Sequence, residues 1–164
     1  MKRSKFLELS GLTLLIGFNQ FENDLNKQAK DPLDKELVFE FVKAGHNDLE
    51  KVKTMLVKNP NLINCSWDWG NGDFETAIGG ANHLGNKEIA GFLISQGARI
   101  NIFTLAMMGE LHILQQLIDV YPKILNAKGP HGFTLLHHAR AGGSENEDLV
   151  DFLISKGLNE TKIG

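Results

Sequence analysis

Two histidines and an arginine stand side by side in GFTLLHHARAGG, residues 132–143, and a third histidine precedes them in GPHGF, residues 129–133. Imidazole nitrogens bind transition metals and exchange protons near neutral pH, so metal or acid/base chemistry is sought here first. A metal site needs three or four converging donors. His131 is the only other histidine near the pair His137 and His138 in sequence, and the remaining histidines are interpreted as solvated or capping residues: His46, His83 and His112. We therefore expect no metal ligands and no cofactor. A small-molecule or metal pocket near His131 and His138 is the alternative.

Motifs of other reaction types do not occur in the chain. The sequence contains no GxxxxGK[ST] phosphate loop, no HExxH metal helix and no GxSxG nucleophile turn. Acidic residues are spread over the chain, without the desolvated cleft that would tune a pair of carboxylates for catalysis. We therefore expect a protein that is not an enzyme.

The segment CSWDWGNGDFET, residues 65–76, contains both tryptophans of the chain, Trp67 and Trp69, together with Asp68 and Phe74. Burial of one tryptophan removes roughly 150–250 Å² from water, worth about 4–6 kcal/mol. The two indoles are therefore expected to cover something. Either they cover a neighbouring part of the same chain, or they cover the surface of a partner, and both interpretations stay open.

Composition limits the class of protein. The chain has 164 residues, 42% of them hydrophobic, which suits one globular domain. Its formal net charge of -3 offers no excess of cations for a phosphate backbone, so nucleic acid is not expected as a partner. The single cysteine, Cys65, cannot form an internal disulfide.

The first 30 residues differ from the rest of the chain. A basic start is followed by an apolar stretch, residues 12–18, that is too short to span a bilayer, so no stable membrane span is expected. The start resembles a twin-arginine export leader, although Ser4 stands where the second arginine belongs and no cleavage site follows. An amphipathic helix followed by a linker is the alternative. A functional leader would imply a periplasmic or exported protein, and otherwise a cytoplasmic location is expected.

An internal repeat organises the rest of the chain. FLISQG at residues 92–97 returns as FLISKG at 152–157, and NPNLIN at 59–64 returns as YPKILN at 121–126. Two near-copies at almost the same displacement, about 60 residues, indicate a double unit made of two different halves.

Four glycines mark the units, because each lies between two short segments of helical apolar spacing: Gly45, Gly85, Gly109 and Gly143. Glycine adopts a positive φ at little cost, so each is interpreted as the turn of a helix hairpin. Asp31 and Pro32 are interpreted as the start of the first helix. A hairpin of this size cannot cover its own apolar face, so stacking of neighbouring hairpins must stabilise it.

The units resemble ankyrin repeats. The fourth matches the T-x-L-H-x-A pattern best, and the second matches it partly; the matching residues are Thr134, Leu136, His137, Ala139, Gly143, Thr76, Ile78, Ala81 and Gly85. The resemblance implies an all-α solenoid of four repeats at about residues 31–64, 65–101, 102–126 and 127–161, after the leader or N-terminal helix of residues 1–30. It also implies that His137 braces the turn into its helix and that His138 lies exposed on the concave face.

Ankyrin-like stacks bind proteins through the concave face and the loop tips, so the resemblance implies a non-catalytic interaction module with a protein partner. The residues expected to contact this partner are Trp67, Asp68, Trp69, Phe74, Met107, His131, Phe133 and His138. Self-association is a further possibility, because the last helix lies close to Gly164 without an evident polar cap.

Overall fold

The computed structural model describes residues 31–164. The predicted leader or N-terminal helix of residues 1–30 lies outside the described residues. Between residues 31 and 164, no helix combines the length and the apolar character needed to cross a bilayer.

Eight α-helices and one two-stranded antiparallel sheet form this part of the chain. The helices are α1 (Lys35–Ala44), α2 (Leu49–Lys58), α3 (Ala77–His83), α4 (Lys87–Ser95), α5 (Ile102–Met108), α6 (Leu111–Val120), α7 (Leu135–Ala141) and α8 (Glu147–Ser155). Four short 3-10 turns cover Pro60–Asn64, Pro122–Asn126, Pro130–Gly132 and Ser144–Asn146. The fold is thus mostly helical.

The structure is compatible with the all-α prediction, and the tryptophan segment adds a small β-hairpin of β1 (Ser66–Asp68) and β2 (Phe74–Thr76). Its turn contains three successive residues of positive φ, Gly70, Asn71 and Gly72, which are the residue types that tolerate this conformation. The amide of Trp69 donates to the carbonyl of Asp73 across the turn. The glycines therefore make a tight turn rather than an open loop.

Helix starts follow the N-cap rules, with one correction. The first helix is capped by Asp34, whose carboxylate accepts from the amide of Leu37, and not by Asp31. Side chains also cap the first helices of the later pairs: Thr76 for α3, Asn101 for α5 and Thr134 for α7. Pro60 and Pro122 each begin a 3-10 turn directly after the second helices α2 and α6.

The helices contact one another in pairs, as the hairpin prediction requires: α1 with α2, α3 with α4, α5 with α6 and α7 with α8. The first helices of successive pairs also touch, but α3 contacts α7 directly as well as α5. A linear stack would separate these two helices by a whole repeat. The reason is a close approach at Gly85, where a Cβ atom would overlap the carbonyl oxygen of Ala141.

The expectation of a positive φ at each turn glycine is wrong at Gly45, which has φ -53°. Glycine is needed there for space, because a Cβ atom would overlap the carbonyl oxygen of Ala77. The backbone of the first hairpin thus packs directly against the start of α3.

A continuous hydrophobic core lies between helices α5 to α8, with buried side chains from every one of them: Phe103, Ala106, Leu114, Ile118, Leu135, Leu136, Ala139, Leu149 and Leu153. Met107, expected at the floor of a partner pocket, is fully buried and has no access to a partner. The amide nitrogen of buried Asn146 donates to the carbonyls of Met107 and Ala139, which ties α5 to α7.

Candidate functional site at the hairpin and the histidine cluster

The strand β2 presents consecutive side chains to opposite sides, as strand geometry requires. Phe74 points outward and is 61% exposed, whereas Glu75 points inward and is 1% exposed. Thr76 ends the strand and caps α3 with its hydroxyl. One short strand therefore shapes both an outer surface and a buried polar site.

The two tryptophans differ in their surroundings. Trp67 is partly buried against the ring of Phe39 in α1, with the ring centroids 5.1 Å apart. Trp69 also contacts Phe39, at 5.9 Å, yet is 37% exposed. Of the two interpretations left open, the structure shows the first for Trp67, which covers a neighbouring part of its own chain.

Three histidines surround the carboxylate of Glu75. His46 follows α1, His83 ends α3 and His131 lies in the loop before α7. Their Nε2 atoms lie 3.3 Å, 3.2 Å and 3.6 Å from the nearest oxygen of Glu75. The indole nitrogen of Trp69 donates to the same carboxylate at 2.8 Å. We call His46, Glu75, His83 and His131 the histidine cluster. The prediction of a solvated or capping role is wrong for His83, whose Nε2 faces Glu75, whereas His46 caps the end of α1 with Nδ1 and also faces Glu75 with Nε2.

Local contacts orient the rings of the cluster. The Nδ1 atom of His46 lies 3.2 Å from the carbonyls of Val42 and Lys43 at the end of α1. His131 is held by Asp73, which accepts from both its amide and its Nδ1 atom at 2.9 Å. The backbone of His131 has φ 59°, a conformation uncommon outside glycine, and such strain concentrates at functional sites.

The charge of Glu75 depends on these neighbours. Burial opposes ionisation of the carboxyl, but the adjacent imidazoles of His46 and His83 outweigh it and lower its pKa to about 2. The adjacent carboxylate of Glu75 in turn raises the pKa of His46, against the effect of burial. The cluster is thus built around a carboxylate whose ionised form is favoured by its neighbours.

His137 and His138 do not join the cluster. The Nε2 atom of His137 lies 2.9 Å from the carbonyl of His83, and its ring stacks on Phe133 at 3.9 Å. It therefore braces the end of α3, whereas the turn into its own helix is capped by Thr134.

The expectation that His138 is exposed is wrong, because its side chain is fully buried beside Phe103. Its Nδ1 atom donates to the carbonyl of Thr134 at 2.7 Å, and burial lowers its pKa to about 4. His138 can contact neither a partner nor a metal shared with His131.

The outer side of the hairpin borders a groove. A cavity of about 310 Å³ lies between the hairpin and the loop before α7, lined among others by Asp73, Phe74, Phe103, Lys128 and Pro130. It adjoins a wider depression of about 710 Å³ whose lining includes His131 and Lys162. Two segments that are 58 residues apart meet here through the bond between Asp73 and His131.

The structure therefore divides the predicted contact residues into two groups. The first group lies around the hairpin and consists of Trp69, Phe74, His131 and Phe133. Asp68 also belongs to it, because its exposed carboxylate accepts a hydrogen bond from the amide of Gly70 in the hairpin turn. Met107 and His138 belong to the interior, and Trp67 packs on α1. Sequence reasoning missed Glu75, His46, His83 and Asp73. The one local signal was the alternation of Phe74 and Glu75 in a short strand, which places the acid inward.

No family model matches the chain, and no curated protein is similar enough to it to indicate a relative.

Proposed function

We propose that the chain is a non-catalytic recognition module that binds a protein partner in the groove between the hairpin and the loop of residues 128–133. The observation that carries the proposal is the exposure of Phe74 at the edge of a groove built from two distant segments. Exposed aromatic side chains beside a concave surface are typical anchors of protein interfaces.

The lining of the groove indicates the chemistry of the partner. Lys128 and Lys162 border it, and Lys162 lies over the ring of Phe133 at 5.2 Å from the ring centroid. The carboxylate of Asp73 is engaged by His131. The groove therefore suits an extended peptide segment that inserts an apolar side chain beside Phe74 and places a carboxylate near the lysines.

We also propose that the scaffold is an ankyrin-like repeat array. The order of the helix pairs, the T-x-L-H segment of α7 and the contacts between successive first helices support it. The direct contact of α3 with α7 is a departure from a linear stack, and it brings the second and fourth repeats close enough to share the groove. On this proposal the groove replaces the concave face as the binding surface.

Selection of binding peptides on the immobilised full chain would test the proposal. Peptides selected on the wild type should bind Phe74→Ala at least 10-fold more weakly, because about 1.4 kcal/mol is a modest loss for an interface anchor. Val57→Ala is the matched control, since Val57 is exposed on α2 outside the groove. Equal binding of the selected peptides to both variants would contradict the assignment of the groove.

A further inference from the structure

The histidine cluster has the dimensions of a metal site. His46, Glu75, His83 and His131 can each offer one ligand atom, and these four atoms lie within 4.8 Å of one another. Ligands placed about 2.0–2.1 Å from a zinc ion at tetrahedral corners lie about 3.3 Å apart. The Nε2 atoms of His46 and His131 lie 3.3 Å and 3.6 Å from Oε2 of Glu75, and that of His83 lies 3.2 Å from Oε1, which are distances close to that value. Only small side-chain movements would be needed to close the four groups around one ion.

In their neutral forms, the rings of His46 and His131 direct nitrogen lone pairs toward the carboxylate of Glu75. Carbonyl oxygens only accept hydrogen bonds, so the Nδ1 atom of His46 must carry a proton, and Asp73 imposes the same tautomer on His131. In a neutral ring the Nε2 atom is then an acceptor. Both Nε2 atoms point at oxygens of Glu75, which are acceptors as well. Such an arrangement is repulsive unless added protons or a cation lie between the groups.

Two atoms of the cluster show this conflict directly. Glu75 Oε1 and His83 Nε2 are buried and face each other at 3.2 Å, yet neither has a hydrogen-bond partner among the described residues. Buried polar atoms are rarely left without a partner, and such cases indicate a missing ion or a functional role. Glu75 is only 1% exposed, so bulk water does not supply a hydrogen bond to its Oε1 atom.

We propose that His46, Glu75, His83 and His131 bind one divalent transition-metal cation, with Zn²⁺ the best-matched ion. Three imidazoles and one carboxylate disfavour Mg²⁺ and Ca²⁺, which prefer oxygen ligands. Four protein ligands would complete the coordination of Zn²⁺, as in sites that stabilise structure. This site lies on the inner side of the hairpin and meets the groove at His131 and Asp73, and it revises the pocket expected near His131 and His138.

Groups around the cluster hold the ligands in place. Metal-bound histidines usually donate their second ring nitrogen to a carbonyl or a carboxylate, which are the partners found here for His46 and His131. Gly80 keeps room for the ring of His46, because a Cβ atom there would lie 2.7 Å from its Nδ1 atom. Asp73 is therefore a positioning residue for His131, and Gly80 for His46.

The ligands come from four segments of the chain: the turn after α1, strand β2, the end of α3 and the loop before α7. A bound cation would therefore fasten the first, second and fourth helix pairs to one another. Since an unfolded chain does not hold these ligands together, the cation would raise the melting temperature in a concentration-dependent way.

The test uses the full chain after removal of metals with a chelator. Titration with ZnCl₂, followed by gel filtration and elemental analysis, should show one equivalent of zinc bound to the wild type. His131→Asn removes one ligand while keeping a residue type that tolerates the left-handed backbone. It should bind zinc at least 10-fold more weakly. His112→Asn, an exposed position on α6, is the matched control and should bind as the wild type does.

Substitution with Co²⁺ gives a readout that does not depend on variants. The wild type should develop the intense visible absorption of tetrahedral cobalt, and zinc should abolish it. Substoichiometric zinc in the wild type, or unchanged affinity in a folded His131→Asn, would overturn the proposal. If His131→Asn fails to fold by circular dichroism, the cobalt spectrum of the wild type decides, and absence of the tetrahedral bands would overturn it.

Discussion

Two histidines of this protein, His138 and His46, have opposite surroundings. His138 lies among Phe103 and the apolar core of α5 to α8, and burial there lowers its pKa to about 4. His46 is also partly buried but faces Glu75, and this adjacent carboxylate raises its pKa. Burial disfavours the charged ring in both places, so the neighbour decides which form persists. The neighbouring group therefore distinguishes a histidine with a structural role from histidines that can bind a cation.

The largest effect is expected from removing the charge at the centre of the cluster. In chelator-treated protein at pH 7, Glu75→Gln should lower the free energy of unfolding by about 3 kcal/mol, because His46 loses the anion that favours its charged form and the indole of Trp69 loses a charged acceptor. Urea unfolding followed by circular dichroism measures the loss. Glu145→Gln removes an exposed carboxylate paired with Lys87 and should leave stability nearly unchanged, since solvent screens such pairs. Equal losses in the two variants would remove the distinction between the cluster and a surface pair.

A smaller effect is expected from acid at His138. Its pKa is 6.5 in an unfolded chain and about 4 in the folded protein, so the unfolded state takes up the proton first as the pH falls. Stability should therefore decrease from about pH 6.5 downward and level off below about pH 4, by a total on the order of 3 kcal/mol at most. His138→Leu should reduce this slope of unfolding free energy against pH.

The control for the pH experiment is His112→Leu at an exposed position of α6, which should keep the slope of the wild type. The loss of the bond from His138 to the carbonyl of Thr134 lowers stability at every pH and does not change the comparison of slopes. A slope in His138→Leu equal to that of the wild type would show that another group causes the acid sensitivity.

The smallest effect is expected from a single methyl group beside His46. Gly80→Ala should lower the free energy of unfolding by about 1–2 kcal/mol, because the new Cβ atom would lie 2.7 Å from the ring. Gly91→Ala in α4 is the matched control, since a Cβ atom there meets nothing within 4 Å. It should stabilise the protein by about 0.5–1 kcal/mol, as alanine favours a helix over glycine. Thermal or urea unfolding compares the two, and a stabilising Gly80→Ala would show that His46 has room to move.

Much of the helical framework could be predicted from the sequence because its signals are local. Apolar residues at helical spacing indicated the helices, and the glycine turns marked where the two helices of a pair meet. The hairpin was missed because each of its strands has only three residues, too few for an alternating pattern to be recognised. The cap at Asp34 was missed because the pair of Asp31 and Pro32 offered an equally suitable local start.

The sequence alone determined that this chain forms short paired helices, since helical periodicity, side-chain caps and glycine turns act over a few residues. Only the tertiary structure decided where the polar groups meet. The residues of the histidine cluster come together because α3 packs against both α1 and α7. No local sequence pattern encodes these helix contacts. The adjacent His137 and His138 likewise received different surroundings from the same packing: one ring reaches α3, and the other turns into the core.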